Sequence, residues 1–312
     1  MAITYFDLNE KGLPFEVSEP QAGKWISLSN PTATELQLVR EKWGLPDDFL
    51  TDPLDQDEAP RVESKDGFVL IIFRLPITHD DKGVVYKTVP IGLILSKDIC
   101  IIVSFNPIKL FKDYFRAANL KDFPIKRNAL ILSVFETVTQ RYLQYLRHIN
   151  RLQDQIENQL IIDTQNEKLL NLLHLKKSLV LFTTSLKGNN SILYRLKKNL
   201  KIVEAEEEGE ILEDIVVDLK QAIEMSEIYT NIIIGTMNTF SSIISNQISF
   251  IMKVLTGFTI ILMIPTLITS AYGMNIDYLP YKNSEHAFLI VMSICLFFSF
   301  ASLALLKYKK WF

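Results

Sequence analysis

The sequence predicts a membrane protein: a mixed α/β domain, then a long α-helical segment, then two C-terminal transmembrane helices. Strand and turn signals alternate over residues 1–107, helical periodicity follows, and two long charge-free runs lie near the C-terminus. The chain has 312 residues, 48% hydrophobic and 22% charged, enough for one large core or two smaller ones. Charged residues are sparse after position 228, so the C-terminal part differs physically from the rest.

Residues 1–107 carry the signals of a small α/β domain. The segments KWISLS, FVLIIFRLPI, VVYKTVPIGLIL and ICIIVSF are rich in β-branched and aromatic residues, and turn residues separate them. Leu36, Val39 and Trp43 follow Thr34 at helical spacing and predict a helix that closes at Gly44. We expect neighbouring strands to be antiparallel.

Residues 108–205 have a helical pattern, in which apolar residues such as Leu130, Val134 and Val138 recur at intervals of four. The pattern predicts long paired helices. Helix-poor residues cluster in DTQN (163–166) and in KGNN (187–190), and each cluster predicts a helix break.

The next segment predicts a single very long helix. No proline lies between Gly209 and Pro265, which allows about 60 helical residues, or about 90 Å. Residues 228–252 of this helix are uncharged but contain many Asn, Ser and Thr residues. This composition fits either a wet interior of a symmetric assembly or a contact between subunits made by small polar residues.

Two apolar runs, 254–276 and 287–306, are 23 and 20 residues long, which corresponds to roughly 30 to 35 Å of helix, the thickness of a bilayer core. The alternative is a pair of buried core helices. Lys253 precedes the first run and three lysines follow the second, which places both termini in the cytoplasm. The predicted outer loop, 277–286, contains the acids Asp277 and Glu285.

The sequence does not indicate a signal peptide, a disulfide or an enzyme. The first residues have no basic stretch before an apolar run, so we expect no signal peptide. Cys100 and Cys295 lie in apolar runs, belong to no C-x-x-C and are interpreted as small apolar residues. The four histidines are isolated and no catalytic motif is present, so we expect no enzyme activity.

The segment MKVLTGFTIILMIPTLITSAYGMN ends in Gly-Met-Asn and is followed by a short loop, a second span and KYKKWF. This part resembles the CorA family of divalent cation transport proteins, whose hallmark is Gly-Met-Asn at the outer end of the first of two C-terminal spans. Residues 25–76 also look like the family's cytoplasmic domain. The resemblance implies a funnel-shaped homopentamer in the cell membrane that transports Mg²⁺, with Co²⁺ or Ni²⁺ as further substrates. Neither an organic cofactor nor a nucleic-acid partner is expected.

The predicted organisation follows from the pattern and the resemblance together. It comprises a cytoplasmic α/β domain at 1–107, a cytoplasmic helical hairpin region at 108–205, a stalk helix at 206–276 whose part at about 254–276 is the first transmembrane helix, an outer loop at 277–286, a second transmembrane helix at 287–306, and a basic cytoplasmic tail at 307–312.

Gly273, Met274 and Asn275 are the predicted selectivity filter. A ring of Asn275 amides, five in the implied pentamer, would hydrogen-bond the water shell of Mg²⁺ without stripping it. Gly273 would let the backbones approach one another, and Met274 would pack behind as apolar support. The plainer interpretation is a helix C-cap, because Gly and Asn accept the left-handed geometry found where helices end.

A stripe of the first span is predicted to line the pore, because its residues recur at intervals of three or four and match the family's pore positions. Met252 and Leu255 would form an apolar constriction that gates by dewetting, and Thr266 and Ser270 would pass the hydrated ion inward. The stripe consists of Ser249, Met252, Leu255, Thr259, Met263, Thr266, Ser270 and Gly273.

The resemblance also implies regulation by metal. The family places acids where one subunit's cytoplasmic domain meets the next subunit's long helix, and the matching positions are Asp52 and Asp214. Two carboxylates that face each other repel unless a cation lies between them, so bound Mg²⁺ would hold the closed state.

Two departures from the family pattern keep alternatives open. Ser249 stands where relatives commonly carry Asn, and Tyr281 and Lys282 replace the usual acid of the outer loop, which leaves Asp277 and Glu285 to attract cations. A zinc-transporting member of the same fold is one alternative. A membrane-anchored metal sensor or scaffold that does not conduct is another.

Overall fold

The computed structural model describes residues 3–8, 14–17, 25–81, 84–96, 99–105, 127–162, 166–199, 206–275, 279–280, 284–309 and 311. The chain divides into two compact units, Met1–Thr236 and Met237–Phe312. The division falls inside the longest helix.

The first unit is built on a mixed sheet that has seven strands within the described residues. The spatial order is β2-β1-β3-β7-β6-β5-β4, and β3 pairs with β7 in parallel while all other neighbours are antiparallel. The strands are β1 (Ile3–Leu8), β2 (Pro14–Val17), β3 (Trp25–Ser29), β4 (Arg61–Lys65), β5 (Phe68–Asp81), β6 (Val84–Leu95) and β7 (Cys100–Ser104).

The β4–β5 hairpin shows why this sheet forms locally. Lys65 pairs with Phe68 across a two-residue turn, and Asp66 and Gly67 both have positive φ angles, 51° and 84°. A turn with two positive φ angles matches the natural twist of paired strands, and Asp-Gly is a preferred sequence for it. The hairpin places Arg61 at the outer edge of the sheet.

Two short helices cover one face of the sheet. Helix α1 (Ala33–Trp43) begins with a capping box between Thr32 and Glu35 and closes at Gly44, as predicted. Helix α2 (Asp47–Thr51) runs directly into the 3₁₀ turn Asp52–Leu54. Side chains of α1, α2 and the central strands form a buried core that includes Ile26, Leu28, Val39, Phe49, Leu70 and Ile72.

Two long helices, α3 (Arg127–Ile162) and α4 (Asn166–Asn199), pack on the sheet through its other face. The rings of Phe73 and Phe135 lie 5.5 Å apart, and those of Tyr142 and Phe182 lie 5.1 Å apart. Strand β5 is therefore buried on both faces, which explains its continuous apolar run.

The predicted helix break at KGNN is wrong, because α4 continues through residues 187–190. The side chain of Asn189 accepts a hydrogen bond from the Arg74 N–H and donates one to the Arg74 carbonyl, both at 2.9 Å. A Cβ added to Gly188 would lie 2.7 Å from the Pro60 Cγ, so only glycine fits there. The residues that suggested a break instead make tertiary contacts. The other predicted break lies between α3 and α4, and residues 163–165 are outside the described set.

Helix α5 (Glu206–Tyr272) has 67 residues, which confirms the prediction of a single very long helix. Within the first unit, side chains of α5 form hydrogen bonds and an ion pair with α3 and α4. The Gln140 amide donates to Asp218 at 2.6 Å, Lys187 pairs with Glu227 at 2.6 Å, and the Ser226 hydroxyl donates to the Leu179 carbonyl at 2.9 Å.

The second unit contains the end of α5 and helix α6 (Ala287–Tyr308). Both helices are long and apolar enough to cross a membrane, and only 6% of the most apolar window of each is buried. Core helices of a soluble protein would be mostly buried, so the alternative of two core helices does not describe them. Neither Cys100 nor Cys295 forms a disulfide, and both are buried, in agreement with their interpretation as small apolar residues.

Candidate functional site

Gly273, Met274 and Asn275 directly follow the end of α5 and are exposed. The Gly273 N–H donates to the Thr269 carbonyl at 2.9 Å, so backbone bonds continue the last turn. The Tyr272 hydroxyl donates to the Pro280 carbonyl at 3.1 Å and ties the helix end to the returning chain. The Asn275 amide therefore lies at an exposed, anchored helix end. Met274 is 56% exposed in the single chain.

The backbone at this helix end differs from a left-handed C-cap. Positive φ angles among the described residues occur at Asn30, Asp66, Gly44 and Gly67, and neither Gly273 nor Asn275 is in this set. A Cβ built on Gly273 would meet the Thr269 carbonyl oxygen at 3.4 Å, an ordinary contact. The single chain thus gives no steric or conformational reason for glycine at 273.

All the predicted pore residues are exposed along α5 or just after it. With 100° per residue, the members from Met252 to Gly273 fall within about 80° of the helix circumference, and Ser249 lies about 40° outside that wedge. The exposed stripe is thus narrow from Met252 onward, and Ser249 is its least aligned member.

The threonine hydroxyls of this span bond back to their own helix. Thr259 donates to the Leu255 carbonyl and Thr266 to the Leu262 carbonyl, both at 2.8 Å. Because each proton is used in this way, the hydroxyl oxygen presents its lone pairs outward. The water shell of a cation directs its hydrogens outward, so these oxygens have the polarity to accept hydrogen bonds from it.

Of the two acids predicted at the outer mouth, the structure describes one. Glu285 is exposed in the turn before α6, where the Ala287 N–H donates to the Ser284 carbonyl at 3.1 Å. Asp277 lies outside the described residues, as do Tyr281 and Lys282.

Asp52, one of the two predicted regulatory acids, opens the 3₁₀ turn after α2 and carries an ion pair. The Arg61 Nη2 donates to its Oδ2 at 2.5 Å. Arg61 also pairs with Glu58 through Nη1 and lies 3.4 Å from Glu63 through Nε. Burial alone would lower the pKa of the Arg61 guanidinium, but the charges of Glu58 and Asp52 raise it overall. One guanidinium is shared by three carboxylates.

Asp214, the second predicted regulatory acid, is exposed on α5. In the part of the chain that the structure describes, no three His, Cys, Asp or Glu side chains are grouped so as to hold a metal ion. Carboxylates are suitable ligands for Mg²⁺, but a full site needs groups from elsewhere.

The sequence pattern did not single out Arg61. The signal was present: Arg61 is the only basic residue in the segment DPLDQDEAPRVE (52–63), which contains five acids. Two successive turns, closed by the bonds from the Asp55 N–H to the Asp52 carbonyl at 3.1 Å and from the Glu58 N–H to the Asp55 carbonyl at 3.2 Å, lie between Asp52 and Arg61.

Comparison with known proteins decides the family. A family model described as CorA-like Mg²⁺ transporter protein matches residues 20–309. The chain belongs to the CorA family. Its resemblance to that family, stated above from Gly-Met-Asn and its setting, is thereby confirmed.

Relatives and solved structures agree with this assignment. The chain is 29% identical to the cobalt/magnesium transport protein CorA of Methanocaldococcus jannaschii, over 86% of this chain and 85% of the relative. It is 24% identical to the protein of the same name from Thermotoga maritima, over 97% and 86%. The complete structure of the M. jannaschii CorA magnesium transporter matches with a TM-score of 0.87 and 26% identity, covering 100% of this chain and 99% of that one.

Membership of the CorA family establishes the general class. CorA proteins are membrane proteins that transport divalent cations, with Mg²⁺ as the family's transported ion, and they are transporters rather than enzymes. The α/β domain, the long helix and the apolar C-terminal helix are consistent with the family fold.

Proposed function

We propose that the chain is one subunit of a homopentameric, channel-like Mg²⁺ transporter of the cell membrane, with both termini in the cytoplasm. Co²⁺ and Ni²⁺ are further substrates. The observation that carries the proposal is the exposed Asn275 amide at the end of a helix whose exposed stripe bears outward-facing hydroxyl oxygens. Family membership and the cobalt/magnesium names of the two relatives support it.

Asn275 forms the selectivity filter together with Gly273 and Met274. Mg²⁺ dehydrates reluctantly and usually keeps several waters, so an entrance for it must recognise the hydrated ion. A ring of neutral amide oxygens accepts hydrogen bonds from that shell and holds the ion weakly enough to release it. The glycine has no conformational cause within one chain, which supports a close approach between neighbouring subunits at this position.

The stripe beneath the filter is the ion path. Ser270, Thr266 and Thr259 offer oxygen acceptors to the hydrated ion as it moves inward, while Met263, Met252 and Leu255 contribute apolar sections. A ring of apolar side chains excludes water when it narrows, so Met252 and Leu255 form the gate. An inside-negative potential of 100 mV favours entry of a divalent cation by about 4.6 kcal/mol, from about 2.3 kcal/mol per charge.

Asp52 and Asp214 regulate the gate from neighbouring subunits. Mg²⁺ between the two carboxylates offsets their repulsion and stabilises the packed, closed assembly. Closure at high cytosolic Mg²⁺ then limits uptake. Asp214 is exposed on α5, which leaves its carboxylate accessible to a neighbouring chain.

The test is Mg²⁺ and Zn²⁺ uptake into liposomes that contain the purified protein, under an inside-negative potential. The variant Asn275→Ala removes the filter amide. The matched control Asn150→Ala removes an amide from α3, where Asn150 donates to Asp154 at 3.4 Å. We expect Mg²⁺ uptake to be lost in Asn275→Ala and retained in Asn150→Ala.

Other outcomes assign the protein differently. Uptake of Zn²⁺ without Mg²⁺ would identify the zinc-transporting alternative, and no uptake of either ion would favour the sensor or scaffold. Mg²⁺ uptake that survives Asn275→Ala would contradict the amide filter. Cross-linking in native membranes checks the pentamer, and a ladder of bands that ends at the dimer would remove the symmetric ring.

A further inference from the structure

We propose that Arg61 is a built-in counter-ion that competes with divalent cations for Asp52, and so sets the cation concentration at which the regulatory contact tightens. This inference rests on the proposed regulatory role of Asp52. It adds Arg61 to the regulatory contact and predicts that loss of Arg61 makes cation binding tighter. It also gives a physical reason for the cation concentration at which the contact tightens.

The competition follows from the geometry at Asp52. The Arg61 guanidinium donates to the Asp52 Oδ2 at 2.5 Å, so that oxygen already has a cationic partner. A metal ion or its water shell that binds Asp52 must share this oxygen or displace the guanidinium. Charge-assisted hydrogen bonds of this kind are among the strong ones, so the displacement opposes metal binding.

The surrounding charges strengthen the case. Glu58 and Glu63 also pair with Arg61, so three carboxylates share one positive charge and the group keeps two net negative charges. This excess still attracts a divalent cation. Removal of the guanidinium would raise the net negative charge to three and increase that attraction.

The segment that carries these groups is held rigidly on the sheet. Arg74 donates to the carbonyls of Glu58 and Gln56 at 2.8 and 3.0 Å. A Cβ added to Gly92 would lie 2.3 Å from the Pro53 Cγ, so Pro53 sits directly against strand β6. Because the backbone is fixed on both sides of Asp52, the loss of Arg61 is expected to change the charge at Asp52 more than its position.

A purely supporting role for Arg61 predicts the opposite change in metal affinity when Arg61 is removed. If the guanidinium only oriented Asp52 for the metal, its removal would weaken metal binding. Under competition, its removal makes metal binding tighter.

The test measures protection of the full-length protein in lipid nanodiscs against chymotrypsin, titrated with MgCl₂ at constant ionic strength. Chymotrypsin cuts beside aromatic residues, so Arg61→Gln leaves its cleavage sites unchanged. We expect Arg61→Gln to lower the Mg²⁺ concentration for half-protection by about three- to tenfold, the size expected for the loss of one partly exposed charge-assisted hydrogen bond. Arg61→Lys keeps the charge without the fork geometry and should give a smaller decrease.

Control variants make the result specific. Arg40→Gln removes an arginine that pairs with Asp47 at 2.7 Å on the same domain, with both side chains more than half exposed, and its midpoint should equal that of the native chain. Asp52→Asn should raise the midpoint, and Arg61→Gln should lower it less in the Asp52→Asn background than in the native chain, because only the charges of Glu58 and Glu63 then remain to be exposed.

The possible failures are distinguishable. A raised or unchanged midpoint in Arg61→Gln, while Asp52→Asn shifts it, overturns the competition and leaves the regulatory site standing. A native midpoint in Asp52→Asn overturns the regulatory role of Asp52 and this inference with it. A decrease in Arg61→Gln that is equally large in the Asp52→Asn background shows that Arg61 does not act through Asp52 and also overturns the inference.

Discussion

Hydrogen bonds and ion pairs that side chains form between different elements hold the first unit together, whereas the ion-path stripe of the second unit has polar side chains that bond to their own helix. In Met1–Thr236, Asn189 of α4 bonds both backbone groups of Arg74, and Arg61 of β4 pairs with Asp52 beside α2. In Met237–Phe312 the hydroxyls of Thr259 and Thr266 donate to carbonyls of their own helix. The stripe from Met252 to Gly273 is exposed.

Polar side chains of the first unit bind partners within the same chain. The stripe of the second unit presents its side chains to partners outside the chain. In the first unit, a lost side chain leaves buried groups unsatisfied, which lowers the free energy of unfolding. In the second unit, we propose that the exposed groups meet lipid, neighbouring subunits and the transported ion. Substitutions on its stripe are therefore expected to change ion flux before they change folding.

The largest effect is expected from a positive charge on the stripe. Met263→Lys would place a ring of lysines around the ion path and reduce Mg²⁺ uptake by about a hundredfold or more, because a few kcal/mol of repulsion gives that factor. The measurement is the initial rate of uptake into liposomes, together with the amount of assembled protein, which should stay native.

A lysine on α6 is the control for that experiment. Phe297 lies near the middle of α6 and is 67% exposed. Phe297→Lys would put a charge into lipid at a cost of about 2.5 to 3.5 kcal/mol, so it should lower the amount of protein in the membrane instead. If Met263→Lys lost protein in the same way and Phe297→Lys did not, the stripe would be the lipid-facing side.

The second-largest effect is expected on the free energy of unfolding, from a substitution in the first unit. Asn189→Ala leaves the Arg74 N–H without its Asn189 acceptor and removes one of two donors to the Arg74 carbonyl, which keeps the Tyr142 hydroxyl at 3.0 Å, and should lower the free energy of unfolding by about 1 to 3 kcal/mol. Chemical denaturation of the full chain in detergent, followed by tryptophan fluorescence, measures the change. Asn150→Ala should lower the free energy of unfolding by less than about 0.5 kcal/mol. Equal decreases in the free energy of unfolding for the two variants would contradict a stabilising contact between Asn189 of α4 and Arg74 of β5.

The two long apolar helices were predictable because their signals lie along the chain itself. A charge-free run of about twenty residues needs no knowledge of folding to be recognised. The closure of α1 at Gly44 was predictable for the same reason, since a helix end is a local event. The 67-residue helix followed from the absence of proline over its first part.

The errors arose where distant residues decide local structure. KGNN was predicted to break a helix from intrinsic preference, and contacts of Gly188 with Pro60 and of Asn189 with Arg74 override that preference. Strand β4 was missed because its polar residues Arg61–Lys65 suit an edge strand, although the Asp-Gly turn after it was a usable signal. The Arg61 pairings depend on how residues 52–63 fold back, which periodicity does not encode.

The smallest effect tests whether single hydroxyl oxygens contact the hydrated ion. Thr266→Val keeps the shape of the side chain and removes the oxygen, and we expect Mg²⁺ uptake to fall about three- to tenfold, the factor for one hydrogen bond of about 1 kcal/mol. Thr269 makes the same kind of bond to its own helix, to the Pro265 carbonyl at 2.9 Å, but lies about 40° outside the stripe. Thr269→Val should therefore change uptake less than twofold. Similar losses in both variants would mean that the back-bonded hydroxyls support the proline-containing helix, and that the ion does not contact Thr266.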